Sequence, residues 1–213
     1  MKFILLVEGQ TEGESIAKFI KRWLDPKTKS PVGIQVSSYD GFADLERKLV
    51  TKARMHLDGP RNSEVVAVVG LLDLYGPNFY PENVSSNDGK IDWATKHFQD
   101  QVSRKLFRMF FAVHEYEAWL LSQPSIFPRE VANILPKSIK RPESVNSIEP
   151  PGKLLNRLWN QALMKNYKKR VYGKQLFDKL DPMIAASKCP RMAEMLDEML
   201  QVLMDAGLVD SKQ

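Results

Sequence analysis

Acidic residues stand where the short apolar runs of this chain stop. The run at 2–7 ends in Glu8-Gly9, the run at 65–72 ends in Asp73, and the run at 106–113 ends in His114-Glu115-Tyr116-Glu117. Glu12 follows Glu8 at a spacing of four, close to it in space if a helix begins there. Carboxylates gathered within about 4–6 Å repel one another, and a bound divalent cation removes that cost. Mg²⁺ or Mn²⁺ takes oxygen ligands octahedrally, keeps several waters and adds substrate phosphate oxygens. The same residues also have plain structural readings. Glu8 and Glu12 would suit a helix N-terminus through its dipole, and Asp73 would suit a turn before Tyr75-Gly76.

Other chemistries lack their residues. There is no Gly-x-x-x-x-Gly-Lys-Ser/Thr phosphate loop and no Gly-x-Ser-x-Gly elbow. His114-Glu115 begins like a zinc helix, but Ala118 stands where the second His belongs. The remaining histidines are His56 and His97, and His97 falls on an apolar helix face as a packing residue. The single cysteine, Cys189 before Pro190, excludes a disulfide framework and reads as a small buried side chain.

The elements that must position the acids follow from periodicity. Dense apolar runs at 2–7, 33–38, 65–72 and 106–113 are expected strands, the first and third buried on both faces. Helical spacing predicts helices over 11–24, 42–57 and 92–105, with another from 115 to 121. Strands alternating with helices give an α/β fold, a parallel sheet of about four strands flanked by helices. In such sheets a site forms at the carboxyl ends of the strands, which is where the acids fall. The polar stretch 75–92 reads as a functional lid or a disordered segment. After Ser122 prolines break the chain into short helices, so the expected division is an α/β core at 1–122 and a basic helical subdomain at 123–213 packed on it.

Composition bounds the partners. The 213 residues carry a formal charge of +5, but 137–179 holds eleven basic against three acidic residues, a net of +8, leaving −3 elsewhere. That segment is either a solvated face or an electrostatic footprint for phosphates or nucleic acid. The five-residue apolar run 3–7 is too short for a signal peptide, and no stretch approaches the ~20 apolar residues of a membrane span. The expected compartment is the cytoplasm, with no membrane partner.

FILLVEGQTE resembles the first motif of the TOPRIM fold of topoisomerases, primases and overcoming-lysogenization-defect nucleases, whose catalytic glutamate follows the first strand and precedes a Gly. The family's later Asp-x-Asp corresponds to Asp73-Leu74-Tyr75, with Tyr75 in place of the second Asp. VEGxTE, then DxYG and a Pro-containing loop, then HExEAxL at 114–120 and KCPR at 188–191 resemble a bacterial TOPRIM-like family, domain of unknown function 4276. Lys153, Tyr167, Lys168 and Gly173 are similar to its C-terminal pattern. The resemblance implies Mg²⁺ or Mn²⁺ held by Glu8 and Asp73, with Glu12 toward a second ion. It implies Glu117, or its competitor Glu115, as third ligand or general base. Tyr75 and His114 then stand just behind the ligands. Members sit beside ATPase genes in phage-defence-like settings, which implies an ATPase partner.

The expected activity is a Mg²⁺-dependent phosphodiesterase acting on nucleic acid or a phosphate ester, with Lys153, Lys168, Lys169, Arg170 and Lys174 holding the backbone. The alternative is a non-catalytic TOPRIM-like module that partners an ATPase. A receiver-like or flavodoxin-like domain shares the alternation but not the acids at these strand ends.

Overall fold

The computed structural model describes residues 1–113, 115–137, 139–147 and 149–210 and, among these, the side chains of all but 10–12 and 145–147. Strands β1 (Lys2–Glu8), β2 (Gly33–Tyr39), β3 (Val65–Asp73) and β4 (Phe107–Ala112) form one sheet in the order β2-β1-β3-β4. All three pairings are parallel; Val7 lies opposite Leu71, and Asp73 opposite Ala112.

The unbroken apolar character of β1 and β3 follows from their central positions. A strand sends alternate side chains to opposite faces, and here both faces are covered. Phe3, Leu5 and Val7 pack on one face with Ile16, Phe19 and Ile20 of helix α1 (Gln10–Leu24). Ile4 and Leu6 pack on the other with Leu45 and Leu49 of α2 (Gly41–Asp58) and Phe98 of α3 (Asn87–Val102). Chain direction explains this split. The β1-to-β2 connection runs one way along the sheet, and the next two run the other way. A right-handed crossover changes face when its direction reverses. The connections therefore diverge between β1 and β3, opening a crevice at their carboxyl ends.

The helices differ slightly from their expected spans. α3 starts at Asn87 rather than 92, because Ser86 caps it by accepting the Gly89 N–H at 3.1 Å. Apolar periodicity begins only at Ile91, so that polar first turn is invisible to it. α4 is confined to Glu117–Leu120. The segment before it is a tight turn, with the Ala118 N–H donating to the Glu115 carbonyl at 3.0 Å.

The remaining helices are α5 (Arg129–Ile134), α6 (Pro151–Leu163), α7 (Lys174–Lys179), α8 (Pro182–Lys188) and α9 (Pro190–Asp205). They continue the apolar cluster beneath α1 through Leu155, Trp159, Phe177, Met195 and Leu196. Arg22 of α1 locks the end of α7 by donating to the carbonyls of Phe177 (2.6 Å) and Leu180 (2.8 Å). These bonds satisfy carbonyls at the helix terminus, where intrahelical donors run out. Among the described residues no helix is long and apolar enough to cross a membrane.

Candidate functional site

Glu8 is set by a one-residue turn between β1 and α1. Gly9 adopts φ 68°, a conformation that favours glycine. Its N–H donates to the Tyr39 carbonyl at 3.0 Å and its carbonyl accepts from Gly13 at 3.3 Å. A Cβ at Gly13 would lie 2.5 Å from Val36 Cγ1 and 2.6 Å from Val7 Cγ2. Only a glycine there lets α1 lie this close to the sheet, which holds the first turn of the helix against the end of β1. Sequence reading passed over Gly13, although Gly9-x-x-x-Gly13 directly after a strand was a usable signal for close helix–strand approach.

Asp73 ties two strand ends together. Its Oδ1 accepts the Tyr116 N–H at 3.2 Å, and the next residue, Leu74, donates to the Ala112 carbonyl at 2.9 Å. Glu8, Asp73, Val7, Ile16 and Tyr116 help line a cavity of about 10 Å³ in the crevice between β1 and β3. That is room for about one water-sized sphere.

The adjacent glutamates after β4 diverge. Glu117 is 1% exposed, and the Lys169 ammonium lies 3.4 Å from its Oε2 and 3.9 Å from Asp73 Oδ2. The same ammonium stands 4.2 Å from the centroid of the Tyr116 ring. A carboxylate this deeply buried needs such a countercharge. Glu115 turns away, and its Oε2 accepts the Gly152 N–H at 2.7 Å in the first turn of α6. There it offsets the positive end of the helix dipole.

Of the expected phosphate contacts, Lys153, Lys168, Arg170 and Lys174 are exposed. Lys169 is placed differently from these four, partly buried against Asp73 and Glu117. Lys169–Gly173 form a π turn, and this turn aims Lys169 inward while its neighbours face solvent. Regular helical spacing could not reveal that reversal. Tyr75 is 54% exposed and turned to solvent. His114 lies outside the described residues, as does the side chain of Glu12.

Tyr80 was not expected. Its hydroxyl is buried with no hydrogen-bond partner among the described residues, and its pKa is pushed up to about 12 by burial and by the charge of Glu8. It comes from the polar stretch after β3 and packs on Phe79 and Trp93, with ring centroids 4.6 and 6.3 Å away. The Phe79-Tyr80 pair inside an otherwise polar loop was the available signal.

The donor set suits a hard divalent cation. Mg²⁺ is commonly held by one or two carboxylates with waters and phosphate oxygens, and Glu8 and Asp73 flank a cavity of that scale. Among the described residues no three His, Cys, Asp or Glu side chains group closely enough to hold an ion on their own. Lys169 stands instead against Asp73 and Glu117.

The KCPR stretch serves the fold. Lys188 donates to the Ser122 carbonyl at 2.6 Å, Cys189 is fully buried with its thiol pKa raised by that burial, and Pro190 opens α9. Arg191 pairs with Asp88 at 2.6 Å and with Glu194 at 2.8 Å. Glu143 caps α9 by accepting the N–H groups of Arg191 (2.9 Å) and Met192 (3.2 Å).

No curated protein and no solved structure matches the chain. A family model does match, over residues 7–200, which takes in both strand-end acids, the 114–120 stretch and the KCPR element. With nearly its whole length matched, this chain belongs to the family described as Domain of unknown function (DUF4276).

Proposed function

We propose that this protein is a divalent-cation-dependent phosphodiesterase of TOPRIM-like type, acting on nucleic acid or another phosphate ester. The observation that carries the reading is the delivery of Glu8 and Asp73 to the crevice between β1 and β3, around a cavity of about 10 Å³. Glu8 and Asp73 would hold Mg²⁺ or Mn²⁺, with Glu12 toward a second ion. When bound, such an ion polarises a phosphoryl oxygen and activates water. Glu117, one turn residue from the Tyr116 N–H that grips Asp73, is the third ligand or the group that takes the proton from water. Glu115 accepts the Gly152 N–H at the start of α6, which supports Glu117 over it in this role.

Exposed cations neighbour in sequence the residues that touch these acids. Lys168 and Arg170 flank Lys169, Lys153 follows the Gly152 bonded to Glu115, and Lys174 follows the π turn. Phosphate contacts of this kind would make binding steeply salt-dependent. The test is cleavage of end-labelled DNA and RNA with Mg²⁺ or Mn²⁺. Glu8→Gln and Asp73→Asn should each lose at least about a hundredfold in rate, ~2.7 kcal/mol of barrier, with unchanged melting temperature. Cleavage by either variant at the wild-type rate overturns the reading.

A second reading is a non-catalytic module that docks on an ATPase, in the phage-defence setting the family resemblance implies. It is favoured by Lys169, which already offsets Asp73 and Glu117. Co-purification with a neighbouring ATPase and no heat of Mn²⁺ binding would support it. Metal-dependent turnover would rule it out.

A further inference from the structure

The turn that carries Lys169 is anchored at both shoulders. On the incoming side the Tyr167 N–H donates to Asn156 Oδ1 of α6 at 3.0 Å. On the outgoing side lies Gly173, where a Cβ would come 2.9 Å from the Tyr167 hydroxyl and 3.4 Å from that of Tyr116. The Val171 and Tyr172 N–H groups close the turn onto the Lys168 carbonyl at 2.9 and 2.8 Å. π turns of this kind recur at functional sites. The backbone is thus held while the lysine side chain, 36% exposed, reaches from solvent to the carboxylates. Lysine suits that role, being a compact, strongly hydrated charge on a stem of rotatable bonds.

A divalent ion would approach the Asp73 oxygens at about 2.0–2.1 Å with twice the charge. An ammonium 3.4 Å from Glu117 and 3.9 Å from Asp73 cannot keep its place beside it without strong repulsion. We propose that Lys169 is the resident counter-cation of the site, and that its ammonium leaves Asp73 and Glu117 when a divalent ion binds Glu8 and Asp73 beside them. The proposal rests on the metal-dependent reading above and adds its regulation. Uptake of the ion releases Lys169 toward the exposed Lys168 and Arg170, where it becomes a phosphate contact. Binding of a phosphate backbone draws the lysine off the carboxylates and so favours the ion. By linkage each ligand raises the affinity for the other by the same factor.

The test compares Mn²⁺ binding by calorimetry in the wild type and Lys169→Met, which keeps the length of the side chain without its charge. The variant should bind Mn²⁺ about tenfold more tightly or better, ~1.4 kcal/mol. A short oligonucleotide should raise Mn²⁺ affinity less in the variant than in the wild type, because only the lysine's share of the coupling is removed. In case the variant does not fold, pulse acetylation of the wild type read by peptide mass spectrometry decides alone. Lys169 should become severalfold more reactive when Mn²⁺ is added, and the exposed Lys165 should not. Equal Mn²⁺ affinity in both proteins, or unchanged Lys169 reactivity at saturating Mn²⁺, overturns the exchange and leaves the metal site standing. No Mn²⁺ binding by either protein overturns both.

Discussion

Glu117 and Glu143 are both buried carboxylates, 1% and 8% exposed, and the molecule compensates them in different ways. Glu143 places its two oxygens on backbone N–H groups at the start of α9, a helix of 16 residues. Those donors are part of the fold and cannot leave. Glu117 is matched by Lys169, a partly exposed side chain rather than the backbone. The contrast separates a carboxylate that holds structure together from one whose partner is a side chain. Glu115 falls with Glu143, since its partner is also a helix N-terminal N–H. Of the three, only Glu117 shares its counter-cation with Asp73, the acid at the end of a central strand.

The sharpest way to break this contrast is to remove the side-chain partner. Lys169→Ala leaves the buried Glu117 without its ammonium. It should cost about 2–3 kcal/mol in urea denaturation, below the 3–5 of a fully buried pair because a third of Lys169 is in solvent. Glu117→Gln added to that variant should restore much of the loss.

Gly13→Ala acts on the strand-end side of the contrast without touching a charge. A Cβ 2.5 Å from Val36 forces α1 off the sheet, at a cost of about 1–3 kcal/mol. Mn²⁺ affinity should fall with it because Glu8 moves, while a melt read at the α9 side reports the same single transition.

Glu143 supplies a smaller, pH-dependent effect. Burial lifts its pKa above the ordinary 4.5, opposed by the Arg191 and Met192 N–H groups. In the window between the ordinary and the raised value, the folded state keeps a proton that the unfolded chain has lost. Stability therefore falls as pH rises through that window. Glu143→Gln removes this slope, so its stability relative to the wild type should increase from pH 4 to pH 7 in paired thermal melts. A difference that runs the other way would contradict the assignment. Smallest is Glu115→Gln, which weakens a charge–dipole contact at α6 and should cost about 0.5 kcal/mol with no change in Mn²⁺ binding.

Much of the sheet was legible because β1 and β3 are central strands, whose burial on both faces writes an unbroken apolar run. The acids at their ends were legible for the same reason, since a run that stops in Glu8 or Asp73 marks the carboxyl edge. What escaped depends on distances between elements. Gly13 of α1 matters through Val36 of β2, and Tyr80 through the charge of Glu8. For the adjacent pair Glu115 and Glu117, sequence could not show that the start of α6 bonds to the first. Lys169 was hidden by its company: a lysine between Lys168 and Arg170 reads as one more solvated cation, and only the π turn reverses it.

The central claim is that the carboxylates at the ends of β1 and β3 take a divalent cation. Calorimetric titration of Mn²⁺ into the wild type and Asp73→Asn tests it most directly, with melting temperatures recorded for both. The account predicts saturable binding in the wild type that is lost in Asp73→Asn while the fold is retained. Indistinguishable binding curves for the two folded proteins would contradict it.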